Sequence, residues 1–262
     1  MLALTVSATV LFSGAGLAQA APAGPASGAA SAAAVSSFEV TKKGKVPNRK
    51  EQHKAAAAAK VLAKDKQNAL RAAVQVEKDL GRVTMALNRA TALTEPHRTT
   101  MTAGQAAVLA DVQVARQAIN AATTRAAVAK QSTTLRTLRG HAMGVGRAVQ
   151  VVDKADDAVV DGAQTHAELL AAVEEAQLQG KDLTALNQRI DATVPALAEA
   201  TAALVAAADS LAAGARYATG SAASKVSRVR DAHELVGTDI EALTLEVLAL
   251  LDPVAPSPDA AV

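Results

Sequence analysis

Apolar residues recur along most of the chain at alternating steps of four and three, the spacing that places them on one face of an α-helix. The first such stretch predicts a helix over residues 49–93, with Asn48 as N-cap directly after Pro47. Leu70 and Val74 widen its apolar face to the three-in-seven pattern of a helix in a bundle. The seam, which only one lysine interrupts, consists of Ala55, Ala59, Leu62, Lys66, Ala69, Ala73, Val76, Leu80, Val83, Leu87 and Ala90.

A second helix is predicted to begin at a capping box, in which Thr102 and Gln105 face each other three residues apart. Residues 140–146 contain three glycines in seven positions and predict a turn or a sharp kink after this helix. A third helix is then predicted over residues 147–179, with Gly180 as its C-terminal stop.

The last two predicted helices are separated by a link between Gly214 and Gly220. The fourth helix begins near Asp182 and contains Pro195. Because proline removes a backbone donor and clashes with the preceding turn, it predicts a kink or a restart with Thr193 as cap. The fifth helix carries its own seam of aliphatic residues up to the C-terminal tail.

Together these elements predict an all-α protein, an elongated antiparallel bundle of about four to five long amphipathic helices with coiled-coil-like seams over residues 48–251. If the glycine-rich stretch or the link after the fourth helix were helical, the pattern would give fewer, longer helices that dimerise. Composition agrees, because the chain has 67 alanines but one tyrosine, two phenylalanines and no tryptophan. The absence of cysteine excludes disulfides, thiol nucleophiles and iron–sulfur clusters.

The N-terminus has the pattern of an export signal. An apolar run from Leu2 to Phe12 precedes the small-residue cleavage pattern Ala18-Gln19-Ala20, which predicts a signal peptide over residues 1–20. No lysine or arginine comes before the run, and an N-terminal core helix is the alternative. A flexible tether is predicted over residues 21–47 and a disordered proline-rich tail over 252–262. We therefore expect a secreted or cell-envelope protein without a transmembrane span.

Charge is distributed unevenly along the chain. Residues 42–149 contain 20 basic and 6 acidic residues, whereas residues 150–262 contain 7 basic and 18 acidic ones. One explanation is that basic early helices lie against acidic late helices, so that opposite charges set the helix order. The other is that a basic segment contacts an anionic polymer, a membrane surface or nucleic acid. The candidate contact residues are Lys42, Lys43, Lys45, Arg49, Lys50 and Lys54.

Two of the five histidines lie on apolar seams, His166 and His233. His233 begins a sequence that matches the zinc-protease pattern HExxH until Gly237 replaces the second ligand, so a metalloprotease is not predicted. Facing histidines in a helical bundle can bind haem or a metal, which makes this pair the candidate metal ligands. Core histidines with local hydrogen bonds are the other interpretation. No catalytic residue and no cofactor is predicted.

Four aspartates lie close together in the third predicted helix. Asp153, Asp157 and Asp161 recur every four residues, and Asp156 lies beside them. Such a set could hold Mg²⁺ and a diphosphate, but the reactions that use this arrangement shelter a carbocation against aromatic faces, which this chain lacks. We expect a solvated face or a face turned toward the basic helices.

These patterns favour binding over catalysis. We expect a non-enzymatic secreted or envelope-associated protein that contacts an anionic envelope polymer or another protein through its helix faces, with self-association left open. A metal- or haem-binding bundle that uses His166 and His233 is the alternative, and an exported membrane-active or toxin-like protein is the third candidate. Sequence-specific nucleic-acid binding is not expected, because Phe38 and Tyr217 are the only aromatic residues after the predicted signal peptide.

Overall fold

The computed structural model describes residues 49–251, which form five α-helices and one turn of 3-10 helix, with no strand in that range. The all-α prediction is confirmed. The predicted signal peptide, tether and tail, together with Lys42, Lys43 and Lys45, lie outside the described residues. The elements are α1 (Arg49–Arg89), α2 (Glu95–Ala121), α3 (Arg125–Leu178), α4 (Thr184–Ala213), the 3-10 turn Ala215–Tyr217 and α5 (Gly220–Leu251).

Helices that follow one another in the chain are antiparallel, as predicted. Near the link between α1 and α2, the Arg98 guanidinium donates to the Ala90 carbonyl at 2.6 Å. At the opposite end of the same pair, the Lys66 ammonium donates to the Asn120 carbonyl at 2.8 Å. These two contacts fix both ends of α2 on α1 and satisfy carbonyls that a helix end leaves without partners.

The first half of α3 runs parallel to α1. Asp65 and Asp79 of α1 pair with Arg125 and Arg139 of α3 at 2.7 and 2.9 Å, and the two acids have the same spacing as the two arginines. Because α2 packs antiparallel against both helices, α1, α2 and the first half of α3 form a three-helix bundle, the N-terminal bundle.

The second half of α3 forms a second three-helix bundle with α4 and α5, the C-terminal bundle. Here α5 is the parallel neighbour, since Arg147 donates to the Ala218 carbonyl at 2.9 Å and Gly162 meets His233 further along both helices. The predicted bundle is therefore two three-helix bundles that share α3. At about 1.5 Å per residue, this 54-residue helix is about 80 Å long.

Each bundle has its own aliphatic core, and a third cluster joins them. Ile119 and Leu135 are buried in the N-terminal core, and Leu169 and Ile240 in the C-terminal core. The joining cluster contains Met101 and combines the end of α1 with the middle of α3 and the end of α4. A fully buried side chain of this size contributes about 1.5–3 kcal/mol, so these aliphatic layers supply most of the stability that the many small alanines cannot.

The glycine-rich stretch 140–146 lies inside α3, so the predicted turn or kink between a second and a third helix was wrong. A Cβ on Gly144 would lie 2.9 Å from the Ala215 carbonyl oxygen, so glycine allows the 3-10 turn to approach α3. The chain reverses earlier, where Ala122 is extended and Thr124 caps α3 through its side chain. Because the chain reverses here, between α2 and α3, the described residues still form five helices although α3 is continuous. The alternative of fewer helices was therefore also wrong.

The start of α2 also differs from the prediction. α2 begins at Glu95, seven residues before Thr102, and Pro96 lies in its first turn, where no backbone donor is required. Gln105 does not cap this helix, because its amide donates to the Leu80 carbonyl of α1 at 3.0 Å. The predicted capping box was therefore wrong.

Pro195 lies inside α4, and Gly180 ends the preceding helix, α3. α4 continues through Pro195, so the predicted restart at Thr193 was wrong. The Thr193 hydroxyl instead donates to a carbonyl one turn earlier, at 2.7 Å. The predicted stop at Gly180 is confirmed, since Gly180 has φ 67° and the next residue, Lys181, donates its N–H to the Ala176 carbonyl at 2.9 Å.

Two glycine-to-alanine substitutions in α3 test why this stretch is rich in glycine. Gly144→Ala is expected to destabilise the fold by about 1–3 kcal/mol, because the new methyl group meets backbone atoms of the 3-10 turn. Gly140→Ala is the matched control, since nothing lies within 4 Å of its Cβ. There we expect a gain of about 1 kcal/mol from helix propensity. Thermal unfolding measures both; a loss at both positions would contradict the close-approach explanation.

Candidate functional site

Charge is divided between the two bundles. Residues 49–147 contain 17 basic and 6 acidic residues, and residues 148–251 contain 7 basic and 16 acidic ones. The early helices pack with one another at one end of α3, and the late helices do so at the other. The explanation that basic early helices lie against acidic late helices was therefore wrong, because the opposite charges are separated along α3.

The first four turns of α1 project beyond the other helices of the N-terminal bundle. Asp65 pairs with the first residue of α3, Arg125, and Lys66 reaches the end of α2. Residues 49–64 precede both contacts, and none of their side chains is buried; the first buried residue of α1 is Ala69. At about 1.5 Å per residue this segment is about 24 Å long. We call it the basic helix.

Five basic side chains share one side of the basic helix. At about 100° per residue they fall within an arc of about 140°, and the segment contains a single acidic residue, Glu51. None of the five has an acidic partner within 4 Å among the described residues. Three of them are among the contact residues predicted from the sequence, and the two that follow the alanine run are not. They are Arg49, Lys50, Lys54, Lys60 and Lys64.

The aspartates of α3 have two different environments. Asp153 and Asp156 are turned toward the link between α1 and α2, residues 90–94, and accept hydrogen bonds from three of its backbone N–H groups at 2.8–3.1 Å. Asp157 and Asp161 are exposed and line a groove between α3 and α5. The predicted solvated face therefore describes only the second pair.

This groove, which we call the acidic groove, has a volume of about 410 Å³ and lies between two parallel helices. A Cβ on Gly162 would lie 2.6 Å from the buried ring of His233, so this glycine lets the ring pack beneath the groove, whereas nothing lies within 4 Å of a Cβ on Gly237. Four carboxylates and two basic side chains form its rims, and α3 and α5 contribute to both sets. They are Asp157, Asp161, Glu234, Glu241, Lys154 and Arg230.

A buried histidine joins the link between α1 and α2 to α3 and α4. His97 is 6% exposed, and its Nδ1 lies 2.9 Å from Asp156 Oδ2 while its Nε2 lies 2.9 Å from Asp209 Oδ1. The Thr94 hydroxyl is 2.9 Å from the same Nδ1. Both ring nitrogens face a carboxylate, so a protonated ring, which donates from both nitrogens, fits this arrangement best.

The surroundings of His97 change its pKa in opposite directions. Burial lowers it, but the hydrogen bonds to Asp156 and Asp209 and the charges of these carboxylates outweigh burial, and the pKa is raised above its usual value of 6.5. This cluster was not predicted from the sequence, where His97 follows Pro96 outside the first predicted helix. Its partners are 59 and 112 residues away, and no local pattern signals them.

The two candidate metal ligands both approach Thr201 of α4. His233 is 1% exposed, and its Nε2 lies 3.1 Å from the Thr201 hydroxyl oxygen. His166 lines a cavity of about 600 Å³ beside the same threonine, and its buried Nε2 has no hydrogen-bond partner among the described residues. Burial lowers the pKa of His233, which favours its neutral ring. Within residues 49–251 no three acidic or histidine side chains form a metal-binding group, and this alternative stays a prediction.

One described helix, α4, is long and apolar enough to cross a membrane when length and composition alone are considered. The sequence analysis recognised no such segment. Its most apolar window has a mean hydropathy of 1.4, largely from alanine, and 28% of that window is buried in the bundle. Leu197, Leu204 and Leu211 form the packed face of this helix. The membrane-active candidate likewise stays a prediction.

No protein-family model, curated protein or solved structure matches this chain.

The His97 cluster predicts a pH-dependent contribution to stability. Because the folded-state pKa lies above 6.5, the contribution is complete below that pH and is lost as pH rises through the folded value. Replacing one partner, Asp209→Asn, should lower the melting temperature more at about pH 5.5 than at about pH 8.5. Asp191→Asn, at an exposed position of the same helix, is the control and should show no such difference. An equal loss at both pH values for Asp209→Asn would show that the charged ring is unimportant.

Proposed function

We propose that this chain is a secreted or envelope-associated protein without catalytic activity, which binds an anionic polymer of the cell envelope through its basic helix. The observation that carries the proposal is the projection of residues 49–64 from the bundle with five basic side chains on one side. A charged face that stands away from the protein body is accessible along its whole length. The positive charges of this face extend over about 21 Å, from Lys50 to Lys64. They can therefore contact successive anionic groups on one polymer.

The composition of the basic helix favours a polymer over insertion into a membrane. Helices that lie in a membrane surface carry bulky apolar residues opposite their charges. The basic helix has mainly alanine there, including four of the five residues of the run Ala55–Ala59, with Leu62 as a larger side chain. Alanine buries little area, so binding would depend on charge instead of insertion. The segment also has no aromatic residue on which a nucleic-acid base could stack.

The division of charge along α3 supports a defined orientation on such a polymer. The acidic C-terminal bundle is repelled by an anionic surface, while the basic N-terminal bundle is attracted to it. Lys42, Lys43 and Lys45 precede the basic helix in sequence and carry charge of the same sign. We therefore infer that the protein binds with its N-terminal bundle toward the polymer and its C-terminal bundle away from it.

Retention on phosphocellulose, a phosphate-bearing polymer, tests this function. The chain should be retained at about 50 mM NaCl and released as salt shortens the range of the charges. Replacing Lys50, Lys54, Lys60 and Lys64 with glutamine should weaken binding at least about tenfold, since each lysine near an anionic surface contributes up to about 1 kcal/mol.

The matched control removes four exposed basic side chains elsewhere and so changes the net charge equally. It replaces Lys78, Lys130, Arg136 and Lys225 with glutamine. This control should be retained nearly as well as the unchanged chain. Equal losses for the two variants would show that total charge matters and the basic helix does not, and no retention of the unchanged chain at low salt would end the proposal.

A further inference from the structure

Two charged surfaces of this chain are complementary but lie at opposite ends of it: the basic helix and the acidic groove. We propose that the basic helix of one copy docks into the acidic groove of a second copy. This interaction goes beyond the proposed polymer binding and does not depend on it, because the polymer does not involve the groove.

The acidic groove has the form of a site for a helix. Two parallel helices flank it; Gly237 has open space at the position of a Cβ, and Gly162 lets the His233 ring pack against α3 beneath the groove. Three of its rim carboxylates, Asp157, Asp161 and Glu241, have no basic partner within 4 Å among the described residues. Helix-in-groove recognition uses this geometry, with side chains at helical spacing as anchors.

The basic side chains of the groove do not cancel this charge. Arg230 is already held by Asp231 at 2.8 Å and by Glu234 at 3.0 Å, both on its own helix. Lys154 is exposed at one end of the α3 rim. The groove therefore keeps an excess of negative charge, as does residue range 148–251 around it, with 7 basic and 16 acidic residues.

The lengths of the two surfaces also agree. The α5 rim runs from Arg230 to Glu241, about 17 Å, and the lysines of the basic helix extend over about 21 Å. A free helix of 16 residues gains little stability from its own hydrogen bonds, because most helical stability in proteins comes from tertiary packing. The basic helix has no fully buried side chain, and only the half-buried Leu62 packs against the core of its own bundle, so a groove on another molecule supplies packing that it lacks.

The basic helix cannot reach the groove of its own molecule. It precedes the Asp65–Arg125 pair, which fixes its end to the start of α3, whereas the groove begins at Lys154. These two points on α3 are 29 residues apart, about 44 Å along one continuous helix. Since α1 packs alongside the first half of α3, a basic helix that docks in the groove comes from a second copy.

Sedimentation velocity of the full chain tests the proposal. At about 50 mM NaCl the weight-average sedimentation coefficient should rise with protein concentration, and at about 500 mM NaCl it should fall to the value of the monomer. A single sedimentation coefficient at all concentrations and low salt would overturn the proposal.

Charge reversal identifies the two surfaces. A lysine variant carries Lys50, Lys54, Lys60 and Lys64→Glu, and a groove variant carries Asp157, Asp161 and Glu241→Lys. Each variant alone should associate at least about tenfold more weakly, and an equimolar mixture of the two should recover association, because each supplies the complement of the other. Lack of recovery in the mixture, with both variants showing an unchanged helical spectrum and melting temperature, would overturn the proposal.

The groove variant also separates this interaction from polymer binding. Its basic helix is intact, so its retention on phosphocellulose should equal or exceed that of the unchanged chain while its self-association is lost. A variant that loses both properties would show that the groove has a different role from the one proposed here. Loss of retention by the lysine variant alone, with self-association intact, would likewise contradict the docking of the basic helix.

Discussion

The structure depends on one constraint, that a single continuous helix forms part of two hydrophobic cores. α3 packs against α1 and α2 over its first half and against α4 and α5 over its second. At the junction, the link between α1 and α2 is held by backbone hydrogen bonds to Asp153 and Asp156, and the 3-10 turn approaches at Gly144. The link between α1 and α2 and the 3-10 turn between α4 and α5 both meet α3 near its middle. The pair α1 and α2 is therefore confined to one end of α3, and the pair α4 and α5 to the other.

Because each pair of helices is confined to one end of α3, the basic early helices and the acidic late helices lie at opposite ends of the molecule. A chain that is nearly neutral in total becomes a body with a basic and an acidic end, since the sequence order of the charges is preserved along α3. The proposed binding to an anionic polymer and the proposed docking between copies both use this separation of charge. The projecting basic helix carries five basic side chains and one acidic side chain.

Periodicity predicted the helical content, the antiparallel order of successive helices and the stop at Gly180, because apolar spacing and glycine conformation act locally. It failed where a distant contact decides the local structure. Gly144 permits a close approach of the 3-10 turn without breaking α3, while the true reversal near Ala122 carries neither glycine nor proline. The basic segment could be recognised in part from charge alone, but the acidic groove and the His97 cluster combine residues far apart in sequence.

The most direct test of this account is the distance between spin labels on either side of the glycine-rich stretch of α3. The chain has no native cysteine, so Lys130→Cys and Gln164→Cys, both at exposed positions, provide the only labels. A continuous helix predicts a narrow distribution near 50 Å, from 34 residues at about 1.5 Å each. A helical hairpin that turns at residues 140–146 would bring the labels within about 20 Å, and that result would contradict the shared helix and the separation of charge that follows from it.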